Sequence, residues 1–462
     1  MRAAYLVESV GSTTIRAANQ TPEVARLRKL TGSGRAVPLG SLVSDLGKGY
    51  AKVLPRVDCS PEYGSELLSQ VDLFSAEPTG RSIRSDLIPF VKDLEIRRGD
   101  ILLAGVGQVG ETTLFGRSIL GDNRLIGKLA SGDILLIRLP STQEHLCFYV
   151  YAFLNTRVGL RAVRACSYGT SIPRIRLDLI SSLPIPIPDQ SILSRVANLI
   201  RNALGNRDRY LSELKLARSF IETMPDMQEA RVLCEQRKAR CLSRSGSLPT
   251  LQAWTYASTG GAWDFLRSKW SLRLGDVLQP NGVFNGPRFA RVTCQPPYGI
   301  DFLSQRHGFL IRPVFRRIAN PGFPDRLLFA PQGTLLIGGH GTLGEGEIFG
   351  KVLYVHGKLA RTAFTQDLLR VQIYDEFALL GYGFLSTLVG FRLLRSTAVG
   401  TKLLQMRPDL LRELPFPECD KNFIKKITSH LQLAFQARET AERLEEEAVR
   451  ILEDEVLPPW LS

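Results

Sequence analysis

Several stretches of this chain have the residue types and spacing to do chemistry, and each can be weighed against what its neighbours permit. Gly105, Gly107 and Gly110, in "LLAGVGQVGETTLFG", spell G-x-G-x-x-G after an apolar run, the wording of a dinucleotide-binding turn. Such a turn must open a helix, with an acidic residue about 20 positions on. Here "ETTLFGRSILGDNRLIG" follows, and its glycines and alternating apolar residues suit strands. The expectation is therefore a β-turn-β whose glycines permit positive φ. His307, His340 and His356 stand apart from Cys and acidic residues at ligand spacing, and the seven cysteines form no C-x-x-C pair. They read as reduced thiols, with no zinc site and no disulfide frame.

The glycine motif occurs twice. "GDILLAGVGQVGETTLFGR" from Gly99 returns as "GTLLIGGHGTLGEGEIFGK" from Gly333, so Gly105, Gly107 and Gly110 reappear as Gly339, Gly341 and Gly344. Upstream, "CSPEYGSELLSQVDLF" from Cys59 matches "CQPPYGIDFLSQRHGF" from Cys294. Downstream, "FLNTRVGLRAVRACSYGTSIPRIRLDLISSLPIPIPD" from Phe153 matches "FLSTLVGFRLLRSTAVGTKLLQMRPDLLRELPFPECD" from Phe384. Three blocks in one order at nearly constant offset mean two copies of one domain. The "QPPYG" at Gln295 looks like the catalytic loop of adenine amino-methyltransferases, but Gln stands where a smaller side-chain oxygen is needed. It reads as a turn entering a strand.

Each copy ends by running into a long helix. Prolines fix extended backbone before Asp189 and Asp420, and each Asp can cap the apolar-periodic run that follows. Ile192 or Leu193, Val196, Ile200, Leu204, Leu211, Leu214, Ala217 and Ile221 recur at spacings near three and four. Ile424, Ile427, Leu431, Ala434, Ala441, Leu444, Ala448 and Leu452 do the same. Pairing the two seams with each other covers both, giving a rod of roughly 50 Å at 1.5 Å per residue. The acidic run "ERLEEEAVRILEDEV" reads as a solvated or partner-docking face.

Lys plus Arg total 59 against 45 for Asp plus Glu, a net charge of +14 on 462 residues, with a pI near 9.6. That balance points to a polyanionic partner. No run approaches the roughly 20 apolar residues of a membrane span, and a cytoplasmic location is expected. Basic residues concentrate in the repeats, where Arg157, Arg161, Arg164, Arg174 and Arg176 flank "SYGT" with no acidic residue among them. Arg392, Arg395, Lys402 and Arg407 surround "VGT" in the second copy. Hydroxyls and backbone N–H groups at a glycine turn framed by Arg suit phosphate oxygens. Arg161, Arg164, Thr170, Arg174, Arg176, Arg392, Arg395, Thr401 and Lys402 are the expected backbone contacts. Gln70, Gln305, Arg97 and Arg98, with Arg81 and Arg84, have the side-chain types that read base edges.

Assembled, the repeated pieces resemble a family. "L-G-x-L" at Leu39 (Leu274 to Leu278 with one change), "G-D-I-L-L" (with Thr334 for Asp100 in the second copy), the glycine turn with a basic residue after Phe-Gly (Arg117, Lys351), "F-L-x-T", "G-T" and the closing "D-L-x-x-x-L-P-x-P" follow one another in the two copies. Their duplicated order is similar to that of the specificity subunit of type I restriction-modification systems, over about residues 36 to 458. The resemblance implies an α+β fold of two tandem mixed α/β target-recognition domains, each followed by a long helix, the helices pairing as an antiparallel coiled coil. It implies no catalytic site and no cofactor on this chain. Its partners would be duplex DNA, two methyltransferase subunits carrying S-adenosylmethionine, and a restriction translocase. The expected boundaries are 1–188, including an extension at 1–35 with no counterpart, then 189–240, 241–418 and 419–462. A protein scaffold and a nucleotide- or S-adenosylmethionine-dependent enzyme are the alternatives. Salt-dependent duplex binding separates the first, and methyl transfer without a partner would revive the second.

Overall fold

The computed structural model describes residues 25–27, 29, 36–110, 113–235, 253–344 and 346–458; most of the 1–35 extension lies outside them. The chain divides into two compact units, Met1–Arg209 with Ala437–Ser462, and Tyr210–Gln436.

In the first unit, apolar runs make the central strands of a four-stranded antiparallel sheet, ordered Asp45–Leu46, Ile134–Arg138, Ile101–Ala104 and Ser118–Leu120. Ile101–Ala104 and Ile134–Arg138 are buried along their whole length, as continuous rather than alternating hydrophobicity demands. The helix Glu144–Leu154, buried from Cys147 onward, belongs to the same core. A second, mixed sheet joins Arg81–Ile83, Ser65–Leu68 and Leu129–Ala130, and a small hairpin pairs Ser167–Tyr168 with Arg174–Ile175. The prolines ahead of Asp189 form a strand, Pro184–Pro186, antiparallel to Ala36–Pro38.

The second unit repeats this plan. Its main sheet runs Leu278–Phe284, Leu368–Ile373, Leu335–Gly338, Val352–Tyr354, and its mixed sheet Arg316–Ile318, Ile300–Leu303, Ala363–Phe364. The small sheet has three strands here, His340–Gly341, Leu404–Met406 and Ala398–Val399. The repeated "F-L-x-T" has a local cause: Thr156 and Thr387 cap the next helices, accepting from Gly159 N at 2.9 Å and Gly390 N at 3.1 Å. Where Asp100 becomes Thr334, the loss is matched. Asp100 is ion-paired to Arg138 at 3.1 Å, and the residue equivalent to Arg138 is the uncharged Gln372.

The long helices are Gln190–Glu222 and Lys421–Ile451, the latter continuing as a π turn to Val456. Asp189 and Asp420 cap them as expected, accepting from Ile192 N at 3.0 Å and Phe423 N at 2.9 Å. Each helix contributes to both units, and within each unit the two segments run antiparallel. In the first, Arg195 meets Glu455 and Arg207 meets Glu445. In the second, Glu213 meets His430 at 2.7 Å and Lys426 lies 3.7 Å from the Phe220 ring centroid.

The acidic run corrects the expectation of a free face. Glu445 is 2% exposed, ion-paired to buried Arg207 and accepting from Tyr151 Oη at 3.3 Å. Glu453 accepts from Arg157 N at 2.6 Å, and Glu455 pairs with Arg195. Burial by itself would lower the Arg207 pKa, but Glu445, Tyr151 and Asp122 hold it above its ordinary value. Removing one partner of such a pair strands the other in low dielectric. Glu445→Ala should therefore destabilise the protein by about 3–5 kcal/mol, whereas joint Arg207→Met and Glu445→Leu should recover most of the loss. Denaturant midpoints of the full chain check this, and equal losses in the single and double variants would contradict it.

Candidate nucleic-acid interface

The glycine segment joins strands Ile101–Ala104 and Ser118–Leu120 in the first domain, and Leu335–Gly338 and Val352–Tyr354 in the second. Among its described residues neither copy opens a helix after the glycines, and both lead into a second strand. The loop is sewn to the neighbouring hairpin by its backbone. Ile175 N donates to Gly105 O at 2.9 Å and Gly107 N to Pro173 O at 3.1 Å. Tyr50 Oη donates to both Gly105 O and Ile175 O. In the second copy, His340 and Gly341 pair with Gln405 and Leu404, and Met406 N donates to Gly339 O at 3.2 Å. Gly107 has φ 146°, the positive value anticipated for the reversal.

The guanidinium groups of Arg164 and Arg395 close this loop from the inside. Arg164 Nε donates to Phe115 O at 2.9 Å and its Nη2 to Thr113 O at 3.3 Å. Arg395 Nε donates to Phe349 O at 3.0 Å and its Nη2 to Gly344 O at 2.8 Å. The Phe-Gly glycines follow from this. Gly116 (φ 78°) and Gly350 (φ 86°) sit against the arginine stems, where an added Cβ would come within 2.9 and 3.0 Å of Arg164 Cγ and Arg395 Cγ. Arg395 is 1% exposed, and burial lowers the Arg164 pKa. Both depart from the expectation of phosphate contacts, because their donors already serve main-chain carbonyls.

The other expected contacts fall into three places. Thr170, Thr401 and Lys402 are exposed at the hairpin tips. Arg161 is exposed on the helix Arg157–Ala165, and Arg392 is half-buried on Leu388–Ser396. Arg174 lies 5.8 Å from the Tyr50 ring centroid and bonds Asp133 at 3.2 Å. Arg176 is ion-paired to Asp178, and Arg407 to Asp409 in the same way. Tyr50, Tyr168, Arg174, Arg176 and Leu177 line an open groove of about 460 Å³ beside the hairpin. Burial pushes the Tyr50 phenol well above its ordinary pKa, so it serves as a fixed donor and not as a base.

The expected base readers are placed differently. Gln70 and Gln305 each begin a short helix at the end of a mixed-sheet strand, turned in beneath the glycine loop. Gln305 Nε2 donates to His340 O at 2.8 Å, the Gln70 amide lies beside Gly107, and both Oε1 atoms are buried. In this conformation Gln305 braces the loop, and neither Oε1 faces solvent. Arg97 and Arg98 precede the strand whose far end carries the glycine loop, and Arg98 is ion-paired to Asp208 at 2.8 Å. Arg81 and Arg84 pair with Asp58 and Asp86. Sequence reasoning missed Tyr50, whose only signal was its place in a glycine-flanked turn. Among the described residues no His, Cys, Asp and Glu cluster could hold a metal ion, and no single helix is long and apolar enough to cross a membrane.

No family model matches the chain, and no curated protein sequence matches it. Among solved structures it is similar to the type I restriction-modification S subunit from M. genitalium, at 14% identity over 92% of this chain and 94% of that one, TM-score 0.33. The HsdS subunit from Thermoanaerobacter tengcongensis aligns at 15% identity over 92% and 96%, TM-score 0.25. A chain from a study of complex assembly and conformational transition in the type I R-M system aligns at 14% over 90% and 96%, TM-score 0.26.

The placement separates two kinds of basic residue. Lys402→Ala should flatten the slope of log affinity for duplex DNA against log salt by about one unit and leave folding intact. Arg395→Ala should instead lower stability by about 1–3 kcal/mol by taking the donor from the Phe349 and Glu347 carbonyls, as should Gly350→Ala through its positive φ, by about 1 kcal/mol. Salt titrations and denaturant unfolding of the full chain read both effects, and a flattened slope with unchanged stability for Arg395→Ala would reverse the assignment.

Proposed function

We propose that this chain is the DNA sequence-recognition subunit of a type I restriction-modification complex or a related phage-defence methylation complex, acting in the cytoplasm. The observation that carries this reading is the duplicated surface, in which an exposed hairpin tip within an arginine-rich segment is buttressed by a glycine loop once in each domain. A bipartite duplex target has two half-sites, and two copies of one reader on one chain match that need. The net charge of +14 supplies the long-range attraction to phosphate. The long helices set the spacing of the half-sites and offer docking surfaces to two methyltransferase subunits. Those subunits bring S-adenosylmethionine and the adenine chemistry, and a restriction translocase completes a cleaving complex. In the groove of the first domain, buried Tyr50 is held protonated by burial and suits a fixed donor role on this chain.

The test is duplex binding by the purified chain over a range of salt, followed by mapping of methylated adenines with the methyltransferase subunits present. Expected are an affinity that falls steeply with salt and two half-sites at one preferred spacing, read with duplexes whose spacer varies one base pair at a time. Salt-independent or absent duplex binding would overturn the reading in favour of a protein scaffold.

A further inference from the structure

The hairpin tips carry a feature that phosphate contact leaves unexplained. Each ends in a bare aliphatic side chain, Ile172 at 65% exposure in the first domain and Leu403 at 71% in the second. The two positions are equivalent, three residues after Gly169 and Gly400, which reverse the chain at φ 93° and φ 118°. Each is a single residue and not a patch, and a lone exposed aliphatic side chain implies no partner by itself. Both copies nonetheless place one there.

The surroundings narrow what covers them. From Thr156 to Leu177 and from Thr387 to Pro408 there is no carboxylate, the adjoining Asp133, Asp178 and Asp409 are each ion-paired to an arginine, and Thr170, Thr401 and Lys402 stand beside the aliphatic residues. A polyanion fits this electrostatic setting. An aliphatic side chain has no donor or acceptor, so it cannot read the hydrogen-bond pattern of a base edge. What it can do on DNA is cover a thymine methyl or enter a base step, and the support beneath it distinguishes these. Covering a methyl needs only contact, whereas prising a base step apart needs a tip that does not fold back. In the first domain the tip is tied to the glycine loop by Gly107 N to Pro173 O and Ile175 N to Gly105 O, with Tyr50 Oη bonding both strands. In the second, Leu404–Met406 is paired on both sides, to His340–Gly341 and to Ala398–Val399. Arg164 and Arg395 hold each loop from behind.

Resting on the DNA-recognition reading above, we infer that Ile172 and Leu403 are apolar wedges, each entering one base step at its half-site and kinking the duplex there. Inserted aliphatic side chains partly unstack the step they enter, and the bent duplex then covers more protein surface. The glycine loop is the buttress that makes the hairpin stiff enough, which is why the two motifs occur together twice.

The experiment uses the full chain and a duplex enriched from a random pool by the wild-type protein, with Ile172→Ser and Leu403→Ser as variants. Both side chains are exposed, so folding is retained, and denaturant unfolding confirms it. Each variant is expected to bind the intact duplex about tenfold more weakly with an unchanged salt slope, and to induce a smaller bend in a circular-permutation assay. On a duplex made pliable by a single-nucleotide gap at the entered step, variant and wild type should bind alike. Lys402→Ala serves as the phosphate control, losing affinity equally on both duplexes. The wedge is overturned if the serine variants lose affinity equally on intact and gapped duplex, lose none, or if replacing thymine by uracil reproduces the loss without changing the bend. If the wild-type chain shows no salt-dependent duplex binding, the failure belongs to the DNA-recognition reading itself.

Discussion

A loop rich in glycine has almost no side chains with which to pack, and it loses more conformational freedom on ordering than any other sequence. Its position must be fixed by bonds to its backbone. Here backbone bonds to the neighbouring hairpin do part of this, and one arginine per domain does the rest. The planar fork of Arg164 reaches carbonyls of Thr113 and Phe115, and that of Arg395 reaches those of Gly344, Glu347 and Phe349. A lysine, with a single compact ammonium, could not match several diverging carbonyls from one stem. The bonds offset the desolvation of the cation, and once the loop is fixed the hairpin has a rigid neighbour to pair with. The tip geometry, and so any contact with a ligand, depends on a guanidinium that never touches it.

The two units satisfy the same packing problem with different chemistry. In the first, the helical segments meet over a buried ionic group of Asp122, Arg124, Arg207 and Glu445 with Tyr151. In the second, His356 stands at the position equivalent to Asp122 and an aromatic stack fills the space. Phe435 lies 4.8 Å from Tyr354, 4.6 Å from His356 and 5.2 Å from Tyr382, centroid to centroid. A helix segment bearing Glu445 is poorly accommodated by the aromatic setting, and one bearing Phe435 leaves Arg207 without its carboxylate. The two units thus fill equivalent positions with an ionic group in one and an aromatic group in the other.

The duplication, the β-turn-β and the Asp caps were legible in the sequence because each is set by local backbone demands that glycine, proline and aspartate satisfy almost alone. The roles of the arginines were not. Arg161 and Arg164 lie three residues apart on one short helix, within one turn of each other, yet one is exposed and the other is drawn under the loop. A basic segment without acidic residues looks like a phosphate surface whether its donors point to solvent or to carbonyls. The acidic run on the C-terminal helix misled in the mirror sense, because Glu445 and Glu453 find partners 238 and 296 residues away. Long-range pairing leaves no periodic trace.

The same burial changes how the net charge bears on binding. The count of lysines and arginines sets the field at a distance, and that field is little altered by where each cation is bonded. Counterion release on contact is different, since it registers only cations that meet phosphate. Arg164, Arg395 and Arg207 are committed to internal carbonyls or carboxylates, and Arg98, Arg176 and Arg407 to ion pairs within their own units. Counterion release would then register the cations that stay exposed, such as Arg161 and Lys402. The hold on the exposed hairpin tips is separate from this count, and it traces back to the guanidinium behind the loop and to the backbone bonds that tie loop and hairpin together.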